Sequence, residues 1–324
     1  MAKLLTETAL SGVEQEAENV KLPRGKKKFK KVWLLCWLFV LLPIFGYFFF
    51  NAFPIVISFV SMFVDLEHNR LNTMTWNNFA NFKQFFQDST FTHSLGITFW
   101  LMLSQPLSLL IGFTLSVLLY NVKRFQCLFQ IIFFIPGICS TVASSVMWRT
   151  VFAGSESGVL NSILGTNINW LWNYDNPATL TWCIFIAVLW SSPGYGIVMY
   201  LATLKGVDRA LYEAADLDGA SGWQKVRFIT LPLLAPMTFF LLLSGYVAGM
   251  NIFDQVTIFA PAGYDGTAGI DDMGKTMQYY IYIQGMTWQQ MEYASVLCWV
   301  MNVIVFIPSF ILLKLRQRAE DKVL

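Results

Sequence analysis

Six apolar stretches of this sequence are each long enough to cross a lipid bilayer as a helix. A hydrocarbon core of about 30 Å takes roughly 20 helical residues, and it admits no unpaired backbone polar group. The composition agrees, because 13% of the residues are charged, about half the share found in soluble domains. We therefore expect an all-α integral membrane protein whose six transmembrane helices cover about residues 33–53, 95–119, 128–148, 179–203, 234–256 and 293–314.

The first apolar stretch is too long for a single perpendicular span. It continues past Pro43 and Pro54 to about Val64. A surplus of apolar length is accommodated by tilting or by a local irregularity, and proline removes a backbone donor. We expect tilt or a break near Asn51 and Pro54.

The distribution of positive charge predicts the orientation of the chain. Cytoplasmic segments of membrane proteins carry an excess of Lys and Arg. With six spans and an inside N-terminus, 18 of the 22 Lys and Arg residues fall in predicted cytoplasmic segments. Both termini are therefore expected in the cytoplasm.

Charge and residue chemistry exclude several function classes. The formal net charge of +2 gives no reason to expect nucleic acid as a partner. The five cysteines are scattered, and His68 and His93 have no clustered partner, so neither a metal site nor histidine catalysis is expected. An integral-membrane enzyme would need clustered His, Asp, Glu or Cys at span ends, which the sequence lacks.

The longest predicted inner connection, residues 205–232, begins with the signals of a short helix. Asp208 is a credible N-cap, because its carboxylate can accept from the first free backbone N–H groups. The helix is expected to end at Leu217, and Gly219 supplies the C-terminal stop.

The same connection contains the start of a second short helix. Ser221 and Gln224 fit a capping box, and this helix is expected to end towards Pro232. Two short helices joined at a glycine make an elbow on the membrane face, although an ordinary interfacial loop is the alternative from physics alone. The expected apolar anchors of the elbow are Leu211, Tyr212, Leu217 and Trp223.

One motif in this connection has a specific spacing. Glu213-Ala214-Ala215 is followed after three residues by Gly219, and after nine more by Ile229-Thr-Leu231-Pro232. This spacing resembles the EAA loop of membrane subunits of binding-protein-dependent ABC importers. Residues 204–236 resemble the carbohydrate branch, the maltose, lactose and glycerol-phosphate type. The chain also resembles the larger permease of an alginate-oligosaccharide importer.

The resemblance implies a type I ABC importer permease in the bacterial inner membrane that is not itself an enzyme. No cofactor is expected in this chain, since ATP and Mg²⁺ would bind a partner ATPase. The implied partners are a second homologous permease, two ATPase copies, a periplasmic solute-binding protein, the bilayer and the carbohydrate. The implied ATPase-coupling residues are Glu213, Ala214, Ala215, Asp216, Gly219, Ile229, Leu231 and Pro232.

The expected domain organisation is simple. No repeat with a period of 20–50 residues divides the chain. We expect a basic cytoplasmic tail at residues 1–31, one six-helix permease domain at 32–316 and a cytoplasmic tail at 317–324. The outer connections, about residues 65–93, 149–178 and 257–291, are where a binding protein would dock.

Polar residues inside the spans are the candidates for a substrate path, because they are costly unless they face a cavity or another helix. Sugars bind through hydroxyl hydrogen bonds and aromatic faces. Ser244 and Asn251 lie two helical turns apart and so share a face. The resemblance places them on the path together with Ser191, Ser192 and Tyr195, with helix–helix contact as the alternative for each.

Four further polar residues are assigned differently. Ser104, Gln105 and Asn302 are expected to serve helix packing. Asp254 is either a contact at the outer mouth of the path or a charge at the interface. Nothing in the sequence distinguishes a neutral sugar, glycerol phosphate or an acidic oligosaccharide as the substrate.

Residues 269–276 match the phosphate-binding pattern G-x4-G-K-T letter for letter. A phosphate cradle also needs a preceding strand, a following helix and access to ATP. The predicted topology puts the segment outside the membrane, and Asp271 and Asp272 would repel phosphates. We therefore interpret it as a chance match.

A secondary, ion-coupled sugar carrier is the main alternative function. It predicts internal inverted repeats and ionisable residues at mid-membrane. The sequence has neither, which favours the importer subunit.

Overall fold

The computed structural model describes residues 26–66, 74–122, 124–154, 158–260 and 266–320. The predicted tail before residue 26, the last four residues and His68 lie outside this part. The chain divides into two compact units, Met1–Ile57 and Ser58–Leu324, which are described separately.

The first unit contains helix α1 (Lys26–Tyr47), a π-helical turn, Phe48–Ala52, and the start of helix α2 (Phe53–Ser61), whose residues from Ser58 onward belong to the second unit. Pro54 has no N–H to donate, and its ring clashes with the preceding turn of a regular helix. The wider π turn before it relieves that conflict. The irregularity expected near Asn51 is therefore a π-helical turn and not a break.

The second unit is built from helices and one short antiparallel ribbon, in which Val64 pairs with Trp76. Its elements are β1 (Val64–Asp65), β2 (Thr75–Trp76), α3 (Ala80–Gln87), α4 (Ser89–Met102), α5 (Ser104–Asn121), α6 (Gln126–Ile138), α7 (Thr141–Val151), α8 (Val159–Leu164), α9 (Thr179–Ser191), α10 (Pro193–Lys205), α11 (Arg209–Leu217), α12 (Gly222–Lys225), α13 (Leu231–Met250), α14 (Asp254–Phe259), α15 (Met277–Tyr282) and α16 (Met291–Glu320).

Five helical stretches in the described chain are long and apolar enough to cross a membrane. Four correspond to single predicted spans, and the first covers the long N-terminal apolar run. They are Trp33–Ser61, Ser89–Asn121, Thr179–Lys205, Gly222–Phe259 and Met291–Lys314.

The remaining predicted span, at about 128–148, is not one straight helix. α6 and α7 are bent by 93° at Cys139 and Ser140, which have extended backbone angles. Pro136 and Gly137 precede the bend, and both weaken a helix. The predicted third span is therefore a bent pair of helices, and it adds a sixth crossing if the pair counts as one broken span.

Small residues bring the central helices close together. Ser104, Ser108, Gly112 and Ser116 recur every four residues along one buried face of α5. A Cβ on Gly112 would lie 3.4 Å from the carbonyl oxygen of Pro193 at the start of α10. Such stripes let helix backbones approach closely in membranes, where lipid provides no hydrophobic drive for association.

α10 approaches α6 even more closely than it approaches α5. A Cβ on Gly194 would lie 2.8 Å from the carbonyl oxygen of Phe133 and 3.1 Å from the Cα of Phe134. Both are backbone atoms, so no rotation of a flexible side chain can relieve the overlap. Glycine at position 194 is therefore required by the contact between the two backbones.

Asp88 joins three elements at the distal end of the spans, the end opposite the connection 206–221. One carboxylate oxygen accepts from the backbone N–H groups of Thr90 and Phe91 and so caps α4. The other accepts from the hydroxyls of Tyr280, at 2.7 Å, and Tyr293, at 2.5 Å. Burial, reinforced by this bond, raises the pKa of Tyr280 and keeps its phenol protonated.

The glycine contact predicts unequal effects of two neighbouring substitutions. Gly194→Ala should lower the free energy of unfolding by about 1–3 kcal/mol, because the backbones of α6 and α10 must separate. Gly196→Ala is the matched control, since its Cβ would meet Leu109 Cδ2 at 3.9 Å, an ordinary contact. Thermal unfolding of the purified variants in detergent measures the difference, and equal midpoints would contradict the close contact.

Candidate functional site

A polar cavity of about 650 Å³ lies among the long helices of the second unit. Its walls come from α5, the bend between α6 and α7, the junction of α9 with α10, and the second half of α13. Asp254, Gln255 and Gln278 line its distal part. The cavity therefore extends from the middle of the spans to their distal end.

The bend between α6 and α7 creates one wall of this polar cavity. Thr141 and Ser144 line it from the first turns of α7. A Cβ on Gly137 would lie 3.3 Å from the carbonyl oxygen of Ser191, so the bend presses against the end of α9. Irregular backbone is tolerated at membrane depth where it is covered by protein or lines a cavity, and here it does both.

The five residues predicted for the substrate path are brought together around this cavity. They come from two spans that are separated in sequence by the connection 206–221, and the folding of α10 against α13 places them side by side. The lining residues include Ser191, Ser192, Tyr195, Ser244 and Asn251.

Their hydrogen-bonding capacity is only partly used within the chain. Ser191 and Ser192 both donate to the carbonyl oxygen of Val188, at 3.0 and 2.7 Å. The Asn251 amide donates to the carbonyl oxygen of Val247 at 2.8 Å. Each side chain keeps an oxygen that can accept, as serine hydroxyls and the asparagine amide provide. Ser244 makes no side-chain hydrogen bond to any described residue.

Two of the four residues assigned to packing or to an interface also line the cavity. Gln105 lines it and packs against α13, where a Cβ on Gly249 would lie 3.0 Å from Gln105 Cγ. Gln105 therefore makes the expected packing contact and also lines the cavity. Ser104 is fully buried outside the cavity, and Asn302 donates to the carbonyl oxygen of Cys298 away from it.

Several lining residues were not predicted from the sequence. Thr141 and Ser144 belong to a polar run that follows Pro136 and Gly137 inside an apolar stretch, and that combination is the signal that could have indicated them. Ser108 is part of the small-residue stripe of α5, and the sequence did not distinguish its place on the cavity wall from a role in helix packing. Gln278 is positioned by the fold of the distal segment, which carries no local signal.

The cavity is suited to hydrogen bonding and not to metal chemistry. The part of the chain that the structure describes contains no group of three or more His, Cys, Asp or Glu residues able to hold a metal. Its polar lining consists of hydroxyls and amides with one carboxylate, Asp254, and the ring of Phe253 supplies an apolar surface. Uncharged donors and acceptors next to an aromatic ring are complementary to a polyhydroxylated molecule.

The second candidate surface is the elbow, which we define as residues 208–225. Asp208 caps α11 by accepting from the N–H of Ala210 at 2.9 Å. Gly219 has the left-handed φ of 73° that ends the helix. Ser221 and Gln224 form the reciprocal hydrogen bonds of a capping box at the start of α12. These three local predictions are confirmed.

An ion pair holds the two helices of the elbow together. Lys225 in α12 bonds to the carboxylate of Asp216 in α11. The pair lines a cleft of about 560 Å³ that also includes Glu213 and Tyr120. Among the residues predicted for ATPase coupling, Glu213, Ala214 and Asp216 are exposed on the elbow, and Ala215 is half-buried.

The elbow differs from prediction in two respects. α12 does not end towards Pro232, because the π-helical turn Val226–Thr230 carries it directly into α13. Pro232 falls in the first turn of α13, where the π turn accommodates its missing N–H. Ile229, Leu231 and Pro232 therefore lie at the base of a span and not on the elbow.

Tyr212 is not an apolar anchor of the elbow surface. It turns inward, where its hydroxyl lies 3.0 Å from Thr230 Oγ1 and its ring packs against Tyr120. Leu217 and Trp223, by contrast, expose 91% and 70% of their surface. Leu211 is exposed as well, so the elbow presents large apolar side chains together with acidic ones for contact.

The segment 269–276 is folded in a way that disfavours phosphate binding. Lys275 is buried, and its ammonium bonds to Asp272 at 2.7 Å. The Thr276 hydroxyl donates to the carbonyl oxygen of Ile252 and accepts from the N–H of Tyr279. The groups that would bind a nucleotide are thus used internally, which agrees with the chance-match interpretation.

Comparison with known proteins finds relatives over most of the chain. Residues 106–322 match the family described as "Binding-protein-dependent transport system inner membrane component". The lactose transport system permease protein LacF of Rhizobium radiobacter is 30% identical over 286 residues, covering 85% of this chain and 91% of LacF. The arabinooligosaccharides transport system permease protein AraP of Bacillus subtilis is 28% identical, covering 82% of this chain and 83% of AraP.

Solved structures show the same fold. One is a crystal structure of a bacterial ABC transporter involved in the import of the acidic polysaccharide alginate, with a TM-score of 0.73 and 22% identity over 91% of this chain and 99% of that one. Another is a bacterial alginate ABC transporter in complex with an alginate pentasaccharide-bound periplasmic protein, with a TM-score of 0.72 and 21% identity over 91% and 98%. The predicted type I importer permease fold is confirmed.

The cavity geometry predicts different reactivity for two cysteines of the chain. Cys139 lines the polar cavity, whereas Cys183 is buried in the core. In variants that keep one cysteine each, a small water-soluble methanethiosulfonate should modify Cys139 at least about tenfold faster, because reaction requires access to the thiol. Mass spectrometry of the labelled membranes measures both rates, and equal rates would contradict the location of Cys139.

Proposed function

The chain belongs to the family of binding-protein-dependent transport system inner membrane components, and from this premise we propose that it forms half of a carbohydrate pathway. It is a multi-pass permease subunit, and the secondary-carrier alternative finds no support. The observation that carries the proposal is the polar cavity, whose hydroxyl and amide lining includes Ser191, Ser192 and Tyr195 together with Ser244 and Asn251.

The substrate class that we propose is an oligosaccharide. The named relatives transport lactose and arabinooligosaccharides. A cavity that presents many uncharged hydrogen-bonding groups suits a chain of sugar hydroxyls. A polar group of the cavity that found no partner on the ligand would cost binding energy, and sugar hydroxyls supply such partners. The exposed ring of Tyr195 and the half-buried ring of Phe253 offer stacking surfaces for sugar C–H groups.

We propose that the elbow couples this pathway to ATP hydrolysis in a separate subunit. Glu213 is exposed and can pair with a basic residue of the partner. Leu217 and Trp223 are exposed apolar side chains that a cleft on the partner would cover. ATP and Mg²⁺ would bind in that partner, and no cofactor is assigned to this chain.

The proposed assembly contains two permease chains, two ATPase subunits and a solute-binding protein. A symmetric ATPase pair offers two equivalent surfaces, and the described chain provides one elbow, so a second homologous permease completes the contacts. We propose that the elbow and both termini face the cytoplasm, as the excess of Lys and Arg predicts. This orientation requires that α6 and α7 together count as one crossing.

Substitutions in the cavity should impair transport without affecting assembly. Ser244→Ala and Asn251→Ala should each lower uptake about fivefold, because each removes a hydrogen bond of about 1 kcal/mol to the sugar. Asn302→Ala is the matched control, since Asn302 lies in a span outside the cavity. Uptake is measured in proteoliposomes with the binding protein, and a double variant that transports normally would refute the pathway.

Substitutions on the elbow, unlike those in the cavity, should impair both transport and assembly with the ATPase. Gly219→Asp strains a left-handed turn and Glu213→Lys reverses a charge, so both should abolish transport and weaken ATPase association at least about tenfold. Gly165→Asp is the control, because Gly165 has a similar φ of 64° with open space around it but ends α8 in a different part of the fold. Co-purification with the ATPase measures association, and normal transport by either elbow variant would refute the coupling role.

A further inference from the structure

On the basis of the proposed function, we propose that the substrate is an uncharged oligosaccharide and that Asp254 excludes carboxylated ones. Asp254 is the one residue with a formal charge among those that line the polar cavity in the described chain. The other polar lining residues are serines, a threonine, a tyrosine, a cysteine, an asparagine and glutamines. The cavity therefore has a negative electrostatic character.

Among the residues that the structure describes, the basic side chains near the distal end do not compensate this charge. Lys275 is buried and bonds to Asp272, so its charge is already neutralised. Lys83 lines a separate cleft beside Asp88. Arg149 lies in the last turn of α7 and does not line the cavity. An anionic sugar in the cavity would therefore meet a carboxylate that none of the described basic residues of this chain balances.

Asp254 is held in a position where its charge acts on the cavity. It begins α14, two residues beyond the buried Ile252, and is itself half-buried. Its carboxylate forms no salt bridge and accepts no side-chain hydrogen bond from the described residues. Two carboxylates in a partly desolvated site repel strongly, whereas a neutral sugar can donate hydroxyl hydrogen bonds to the same group.

The resemblance of the fold to alginate importers does not determine the substrate charge. Those structures are 22% and 21% identical to this chain, and one fold can serve ligands of different charge. Charge selection belongs to the side chains that line the path. In this chain they offer a carboxylate, which favours neutral sugars such as those transported by LacF and AraP.

The test compares sugars that differ only in charge. The complete transporter, in nanodiscs without its binding protein, is titrated with maltopentaose and cellopentaose and with the C6-oxidised uronate form of each. Tryptophan fluorescence reports binding at low and at high salt. The variants are Asp254→Asn, Asp254→Glu as the charge-preserving replacement, and Asp175→Asn as a control on an exposed loop outside the cavity.

The wild-type complex should bind the better neutral pentasaccharide at least tenfold more tightly than its uronate form. Asp254→Asn should reduce this preference at least threefold, Asp254→Glu and Asp175→Asn should keep it, and high salt should weaken it. A uronate that binds as tightly as its neutral form would overturn the proposal. So would an unchanged preference in Asp254→Asn.

Failure of this inference can be distinguished from failure of the proposed function. If none of the four saccharides binds, charge selection in the cavity is refuted, and uptake into proteoliposomes with the binding protein decides whether carbohydrate transport fails as well. Uptake of a uronate faster than of its neutral form would refute the charge selection while supporting carbohydrate transport.

Discussion

Backbone polar groups cannot remain unpaired in the hydrocarbon core, and the arrangement of this protein follows from how it satisfies that requirement at one irregular point. The chain turns by 93° at Cys139 and Ser140, in the middle of an apolar stretch. The N–H of Cys139 still bonds to the carbonyl of Ile135, and the carbonyl of Ser140 accepts from Ser144. The interruption of the helical hydrogen bonding is thus confined to the extended residues Cys139 and Ser140, and this segment lies against protein and lines the polar cavity.

Close backbone contacts hold the bend in place. Gly137 lies against the end of α9, and Gly194 lies against the backbone of α6. Gly249 brings α13 against Met102 and Gln105 at the junction of α4 and α5. Larger residues at these positions would push the helices apart and change the width of the cavity between them. Packing and the shape of the site therefore depend on the same glycines.

A continuous helix connects the two candidate surfaces. The helix begins in the elbow at Gly222, carries Ser244 and ends at Met250, so that Asn251 follows as its C-cap and Asp254 begins the next helix, α14. Because α12 passes into α13 through a π turn, displacement of the elbow would be transmitted along the helix to the cavity wall. The ion pair between Asp216 and Lys225 ties α11 to the same helix. This continuity provides a mechanical basis for the proposed coupling of ATP hydrolysis to transport.

The sequence by itself determined the features that depend on neighbours in the chain. Apolar length predicted the helices, and the caps at Asp208 and Ser221 and the turn at Gly219 follow from local hydrogen bonding and backbone sterics. Polar residues in Gly222–Phe259 and Thr179–Lys205 indicated a path because burial in lipid is costly. Only the tertiary structure decided that Gln105, Thr141 and Gln278 share a cavity with them. That outcome depends on contacts between distant segments, and no local pattern in a sequence encodes the distance between two backbones.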